Sequence, residues 1–389
     1  MKNELYIGLM SGTSIDGIDA ALVSFESAEQ LTVVETLFCE FSDDIRQQIN
    51  HAAQNNSTLF RNQDSALHQS LAPLYAKAIE QLITKSGVSR EQIRGVANHG
   101  QTVKHEPNAE PPYSLQLGDG QIIADLTGIT TYSQFRQADL LVGGQGAPLM
   151  PAFHNAVFSG KDSDDADHKD TFIINIGGIS NISRLGSKVI GYDTGPGNVL
   201  MDQWIERASG KPYDADGAWG ASGAVNSELL ATLLNDPYFS LAHPKSTGTD
   251  YFNLEWLERA HPKIDEIPAA DVQATLTLLT VETIASAIKE LNFGARDAQI
   301  YVCGGGARNH LIMRGLRDLL GEQNVAPSDT LGIPADWVEA AGFAWLGYCC
   351  EHSIKSNLPS VTGAREMVVL GEKYSPRRQP PQSKAKAEI

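Results

Sequence analysis

One pattern is written twice in this chain, and it constrains the fold more than any other. "IGLMSGTSIDGIDAAL" (7–22) opens apolar, breaks into small hydroxyl and glycine residues, and turns apolar again. "TFIINIGGISNISRLGSKVIGYDTGPGN" (171–198) restarts it, an apolar strand running into a glycine corner and back into a strand. Strands and then helices follow each copy. The duplication predicts an α/β protein of two similar lobes around a cleft, a first lobe over 1–160, a second over 161–375 and a frayed tail over 376–389. At 389 residues the chain is long enough for roughly two cores.

The elements follow from periodicity. Paired strands are predicted at 5–9 and 20–25, and a third at 31–41. Leu67, Leu71, Leu74, Ala78 and Leu82 fall on one helical face and predict a helix over 63–85. "IRGVANHG" (93–100) reads as a strand entering a polar loop that holds "HGQTVKH", and "GITTYS" (128–133) as a short strand. "GKDSDDADHKD" (160–170) is a charged surface loop carrying no chemistry. Helices are predicted over 197–208, 227–235, 271–291 and 335–349.

Charge and cysteine usage narrow the function. A net charge of -17 argues against nucleic acid, whose phosphates are bound through an excess of Lys and Arg. It leaves nucleotides open, because backbone donors and a metal bind those. Cys39, Cys303, Cys349 and Cys350 form no C-x-x-C pair and read as reduced thiols. "MKNELYIGLM" enters strand-like sequence directly, and no stretch reaches the ~18 apolar residues of a membrane span. The expectation is a cytoplasmic protein without a membrane partner.

Three glycine corners then need one explanation: "SGTSIDG" (11–17), "IGGISNIS" (176–183) and "CGGGARN" (303–309). Each alone serves chain geometry, and the first alone reads equally well as a hairpin corner. Three at strand ends, in both lobes, suit one polyphosphate ligand better. The candidate nucleotide-binding residues are Gly12, Thr13, Ser14, Ile15, Asp16, Gly17, Ile18 and Asp19, with Gly177 and Gly178, and with Gly304, Gly305 and Gly306 against the adenosine. Asp16, in the phosphate turn, suits Mg²⁺ or metal-bound water, and Asp19 suits fixing the hairpin.

Other polar residues have two readings each. Asp193 is either the N-cap of a helix starting near Pro196 or a cleft carboxylate able to take a proton from water. His99 and His105 lack a third zinc ligand, so they and Gln101 suit sugar hydroxyls or an N-acetyl group better. Arg136 and Asp139 make an ion pair by default, or Arg136 meets a substrate carboxylate. Glu339 is by default a solvated charge on the last helix.

The three corners resemble the superfamily of actin, Hsp70 and sugar kinases, in which two hairpin loops and a later GG corner hold ATP between two lobes. Within it, seven motifs resemble the anhydro-N-acetylmuramic acid kinase family. They are "GLMSGTSIDGIDAALV", "NHGQTVKHEP", "SLQLGDG", "GGQGAPLMPAFH", "NIGGISNIS", "GYDTGPGNVLMD" and "VCGGGARN", in order from about residue 5 to about residue 370. The resemblance implies the actin-like (ribonuclease H-like) fold, ATP and Mg²⁺, and an amino sugar as substrate. It implies hydrolytic opening of a 1,6-anhydro bond with phosphorylation at O6, giving N-acetylmuramic acid 6-phosphate in peptidoglycan recycling. By resemblance Asp193 is the general base, and His99, Gln101, Arg136, Asn181 and Glu339 contact the sugar. The rivals are a nucleotide-gated module like actin or Hsp70, and an ordinary hexosamine kinase. "HGQTVKH" and "GGQGAPL", polar loops aimed at a cleft, favour a sugar. A homodimer is carried as an expectation with no residue pattern to argue it.

Overall fold

Apolar residues crowd both faces of the opening segment, so it becomes a central strand covered on two sides. This is β1 (Glu4–Ser11), buried through Ile7 and Leu9. β2 (Gly17–Phe25) pairs with it antiparallel, and β3 (Leu31–Glu40) pairs antiparallel with β2 as a half-exposed edge. β4 (Ile93–Glu106) lies parallel on the other side of β1. β5 (Tyr113–Leu117) and β6 (Thr131–Ser133) both join β4, the first antiparallel and the second parallel. The computed structural model describes residues 3–12, 14–54, 66–159, 170–186, 188–292 and 298–377.

The second sheet repeats the first. It contains β7 (Asp170–Ile176), β8 (Ile179–Arg184), β9 (Ile190–Pro196), β10 (Ala298–Cys303) and β11 (Val325–Pro327). The orders β3-β2-β1-β4-β6 and β9-β8-β7-β10-β11 correspond strand for strand. In each, two antiparallel steps lie on one side of the first strand and two parallel steps on the other. The two-lobed α/β class read from the repeat is therefore present.

Two expectations change. "HGQTVKH" is strand, not loop: β4 continues to Glu106, because β5 supplies an antiparallel partner that a local reading of polar residues cannot see. The end of the chain, assigned to the second lobe, returns to the first. Helix Val338–Glu351 packs on β1, β2 and β4, and β12 (Glu372–Tyr374) pairs antiparallel with β6. Position 160, the expected lobe boundary, the charged stretch 160–169 and the tail beyond 377 lie outside the described residues.

Helix Val338–Glu351 is apolar around its circumference, as a helix buried on all sides must be. One core joins both lobes through it. Phe343, Phe153, Tyr6 and Ala97 pack in the same cluster as Ile173, Leu185 and Cys303 from the second sheet. The approach to β1 is set at Gly8, where an added Cβ would lie inside contact distance of the Ala340 carbonyl and the Ala344 nitrogen. Gly8→Ala must push the helix off the sheet. We expect a loss of about 1–3 kcal/mol, read from the urea midpoint at unchanged m-value.

Candidate active site

The first corner follows the end of β1. The chain reverses between Gly12 and Asp16, with Ile15 at φ 55° and its N–H donating to the Gly12 carbonyl (3.2 Å). A β-branched residue is strained there. Burial of the Ile15 side chain in the first-lobe core offsets the cost. Ser14 and Asp16 stay exposed, and Ser14 Oγ donates to Asp16 Oδ1 (2.9 Å). A Cβ on Gly12 would touch only Ser14, so that side of the turn is open. Gly17 has the opposite cause: a Cβ there would run into the Cys39 carbonyl and the Phe38 ring, so it serves β2–β3 pairing. Ile18 is core, and Thr13 lies outside the described residues.

The second and third corners end β7 and β10, so all three sit at carboxyl ends of central strands, where open α/β sheets bind ligands. The carbonyls of Gly177 and Gly178 accept from Asn198 N (2.8 Å) and from Gly197 N and Val199 N (2.9 and 3.1 Å). They thereby satisfy free donors at the start of helix Val199–Ser209. Gly304, at φ 78°, donates to the Ala335 carbonyl (2.9 Å). Gly304 and Gly306 lie so close to Asn175 and Ile176 that neither tolerates a Cβ, whereas Gly305 is exposed and open.

Four acids in and beside these elements are held above the ordinary carboxylate range. Asp193, on the edge strand β9, is pushed up to about 7 by burial, opposed by a hydrogen bond from Thr247 N to Oδ2 (3.0 Å). That bond, and Asn198 at the N-cap position of helix Val199–Ser209, remove the N-cap reading of Asp193. Asp19 is raised to about 8, first by burial and then by the charges of Asp16, Glu339 and Asp336. Asp202 is raised to about 7 by burial, then by Asp16, Asp214 and Glu206. Asp16 of the first lobe therefore acts on Asp202 of the second, across the cleft. Asp202 escaped the sequence reading, and its signal was a carboxylate one turn into a helix that starts at a glycine corner. The fourth, Glu339, is raised by burial, opposed by a hydrogen bond from Asn175 and by the charge of Arg136.

Arg136 organises the other end of the site. Its Nε and Nη2 face His99 Nε2 (3.3 and 2.9 Å), and Nη1 donates to the Gly146 carbonyl (2.8 Å). His99 Nε2 is therefore an acceptor on a neutral ring, and burial and then the Arg136 charge keep its pKa well below the usual value. Burial lowers Arg136 to about 10 against the pull of Glu339. The expected Arg136–Asp139 ion pair is absent. Asp139 Oδ1 accepts from Asn357 Nδ2 (2.7 Å) and Thr362 Oγ1 (2.8 Å), and Oδ2 from Gly146 N (2.8 Å). Asp139 thus fixes Gly146, the residue whose carbonyl holds Arg136, and Asn357 and Thr362 were not legible as its partners.

The remaining candidates divide. Gln101 is buried and its Nε2 donates to the Gly12 carbonyl (3.0 Å), tying β4 to the first corner. Asn181 stands opposite Asp193 in the β8–β9 register. His105 Nδ1 bonds Ser114 Oγ (2.9 Å), so the two histidines have separate partners. Among the described residues no group of three or more His, Cys, Asp or Glu could hold a metal. Across the cleft, Lys104 of β4 is raised by its bond to Glu106 and further by the charge of Asp250 on the second lobe.

Two lobes of matching topology carry glycine turns and carboxylates at their strand ends, an arrangement suited to binding a phosphate-bearing ligand. A family model described as anhydro-N-acetylmuramic acid kinase matches residues 4–376. The chain is 46% identical over 371 residues to the anhydro-N-acetylmuramic acid kinase of Pasteurella multocida (strain Pm70), covering 95% of this chain and 96% of that one. It is 45% identical over 383 residues to that of Haemophilus influenzae (strain Rd), covering 95% and 98%. A solved activator of 2-hydroxyisocaproyl-CoA dehydratase from Clostridium difficile, with bound ADPNP, aligns at 14% identity and TM-score 0.41 over 88% of this chain and 93% of that one. The chain belongs to the anhydro-N-acetylmuramic acid kinase family.

The electrostatic map has a direct consequence. Asp16→Asn is expected to lower the midpoints of both Asp19 and Asp202 while leaving Asp193 unmoved, since only the first two feel Asp16. Carboxyl ¹³C titration of aspartate-labelled protein without Mg²⁺ reads all three.

Proposed function

We propose that this cleft performs the family's reaction, ATP-dependent conversion of anhydro-N-acetylmuramic acid into N-acetylmuramic acid 6-phosphate in peptidoglycan recycling. Family membership over residues 4–376 carries the reading, and the geometry supports the following division of roles. The open sides of Gly12, Ser14 and Asp16, with Gly177 and Gly178, receive the phosphates, and Gly305 lies against the adenosine. Arg136 meets the lactyl carboxylate, with His99, Asn181 and Glu339 on the sugar. Gln101 supports the phosphate turn.

In the reaction, Asp193 takes a proton from water as the water oxygen bonds to the anomeric carbon. The bond from that carbon to O6 breaks, O6 bonds to the γ-phosphorus, and ADP leaves. A carboxylate near pH 7 is matched to this work. Among the described residues there is no larger acidic cage, and Asp16, which is exposed, and Asp202 nearby would hold Mg²⁺, an ion that takes one or two carboxylates plus phosphates and keeps several waters. When bound it neutralises charge on the phosphate oxygens.

No helix among the described residues is long and apolar enough to cross a membrane. The free thiols at Cys39, Cys303, Cys349 and Cys350 support a cytoplasmic location. A homodimer remains an expectation for sedimentation to measure.

Asp193→Asn keeps the shape and removes the proton acceptor, so kcat should fall by ~10²–10⁴-fold with both substrates still binding. In ¹⁸O water, a rapidly quenched wild-type product should carry label on the anomeric hydroxyl and none in the phosphate. Label in the phosphate would make this an ATPase, and an unlabelled product an ordinary kinase acting on an open sugar. Because the base must be ionised, kcat/KM should be lost as pH falls through about 7.

The glycine corners give an independent check. Gly12→Val and Gly305→Val each place a side chain where the structure has room, so both should melt like wild type. Calorimetric titration should show ATP binding abolished by the first. The second should weaken ADP as much as ATP. Unchanged affinity in a folded variant removes that corner from the nucleotide site.

A further inference from the structure

β9 is the outer strand of its sheet, and at Thr194 it bulges: Ser180 faces Gly195 and Asn181 faces Asp193. An edge strand leaves backbone groups unpaired unless something covers it. At Asp193 the cover is one strap, 237–247, which begins with the short helical turn Pro237–Ser240. The Asp193 N–H donates to the Lys245 carbonyl (3.1 Å), and the Tyr238 hydroxyl donates to the Asp193 carbonyl (2.6 Å). Thr247 N donates to Oδ2 (3.0 Å). Backbone and carboxylate of one residue are thus gripped by the same segment.

The strap is itself pinned. Lys245 Nζ donates to the Tyr238 and Phe239 carbonyls (3.1 and 3.3 Å) and stands 4.8 Å from the Tyr238 ring centre and 5.8 Å from that of Tyr192. Asp236 anchors its start by accepting from Tyr238 N (2.8 Å) and Trp256 Nε1 (2.9 Å). Tyr238 remains a donor, because burial and then the Asp193 charge raise its pKa.

We propose that Tyr238 and Lys245 are positioning residues for the reaction. They hold the strap so that Thr247 N–H fixes Oδ2 of Asp193 and leaves Oδ1 to take the proton. This rests on Asp193 being the base. An N–H aimed at a carboxylate favours its charged form, so a loosened strap both misaims the base and makes it harder to ionise. The titratable groups facing this joint are Tyr238, His243 and Lys245 of the strap, Asp236 just before it, Tyr251 bonded to Asp236, Tyr192 of β9, whose ring stacks on that of His243, and Glu290 of helix Ala269–Leu291.

Steady-state kinetics of the full chain from pH 6 to 9.5, on Tyr238→Phe, Lys245→Met, Lys245→Arg and Asp193→Asn, test it. In Tyr238→Phe and Lys245→Met, kcat should fall by about 10- to 100-fold at pH 7, with KM for ATP and sugar little changed. Their acid limb should move to higher pH, so the defect shrinks toward pH 9. Lys245→Arg, which still donates to the two carbonyls, should recover more activity than Lys245→Met. A lower Tm with wild-type kcat and an unmoved limb would make the strap merely structural and overturn the proposal. An inactive Asp193→Asn beside normal strap variants overturns the strap and leaves the base standing. A near-wild-type Asp193→Asn overturns the reading beneath both. If Lys245→Met does not fold, Tyr238→Phe carries the test alone, since it deletes one oxygen and keeps the ring against Phe252.

Discussion

The cleft depends on the backbone contact between helix Val338–Glu351 and β1 at Gly8. Close approach there lets the helix sit on the first sheet while its leading segment reaches the second. Ala335, just before it, accepts the Gly304 N–H of the third corner, and Glu339 in its first turn has its charged form favoured by Asn175 at the end of β7. The helix is thus core for one lobe and support for the other. Because cores are close-packed, a shift of this helix would be felt at Glu339, Arg136 and the Gly304 peptide together.

The raised carboxylates are of two kinds. Asp193 is raised by burial, with one hydrogen bond pulling it back, so its affinity for a proton is a property of its own pocket. Asp19 and Asp202 are raised partly by like charges drawn from both lobes. Their state must respond to whatever cation or anion enters the cleft. This division separates a group suited to moving a proton near pH 7 from groups suited to sensing a charged ligand. It also marks the cleft as a place where stability is given up, since like charges gathered there repel in the unliganded protein.

What the sequence made legible was local. Strands entering glycine corners are short-range patterns, so the doubled architecture could be read directly. β4 could not, because the polar run "HGQTVKH" becomes strand only through β5. The return of helix Val338–Glu351 to a sheet begun at residue 4 is a contact that no window contains. Arg136 and Asp139 read by default as an ion pair, yet Asp139 is satisfied by Asn357, Thr362 and the Gly146 N–H. Likewise the stretch "HPKSTGTD" (243–250) has loop composition, and only the edge of β9 shows what it covers.

The glycine corners show why such signals are strong together and weak singly. Gly17, Gly197, Gly304 and Gly306 are required by neighbours that leave no space for a side chain, and they would be glycine in a protein that bound nothing. Gly12 and Gly305 are not crowded, and neither takes a left-handed φ. The two classes are nevertheless coupled. Gly304 and Gly306 let the third corner press onto Asn175 and Ile176, and Gly197 lets the helix start press onto Gly177 and Gly178. That packing draws the second and third corners together at the ends of β7 and β10. The crowded glycines set the shape, and the uncrowded ones leave open surface where that shape faces the cleft.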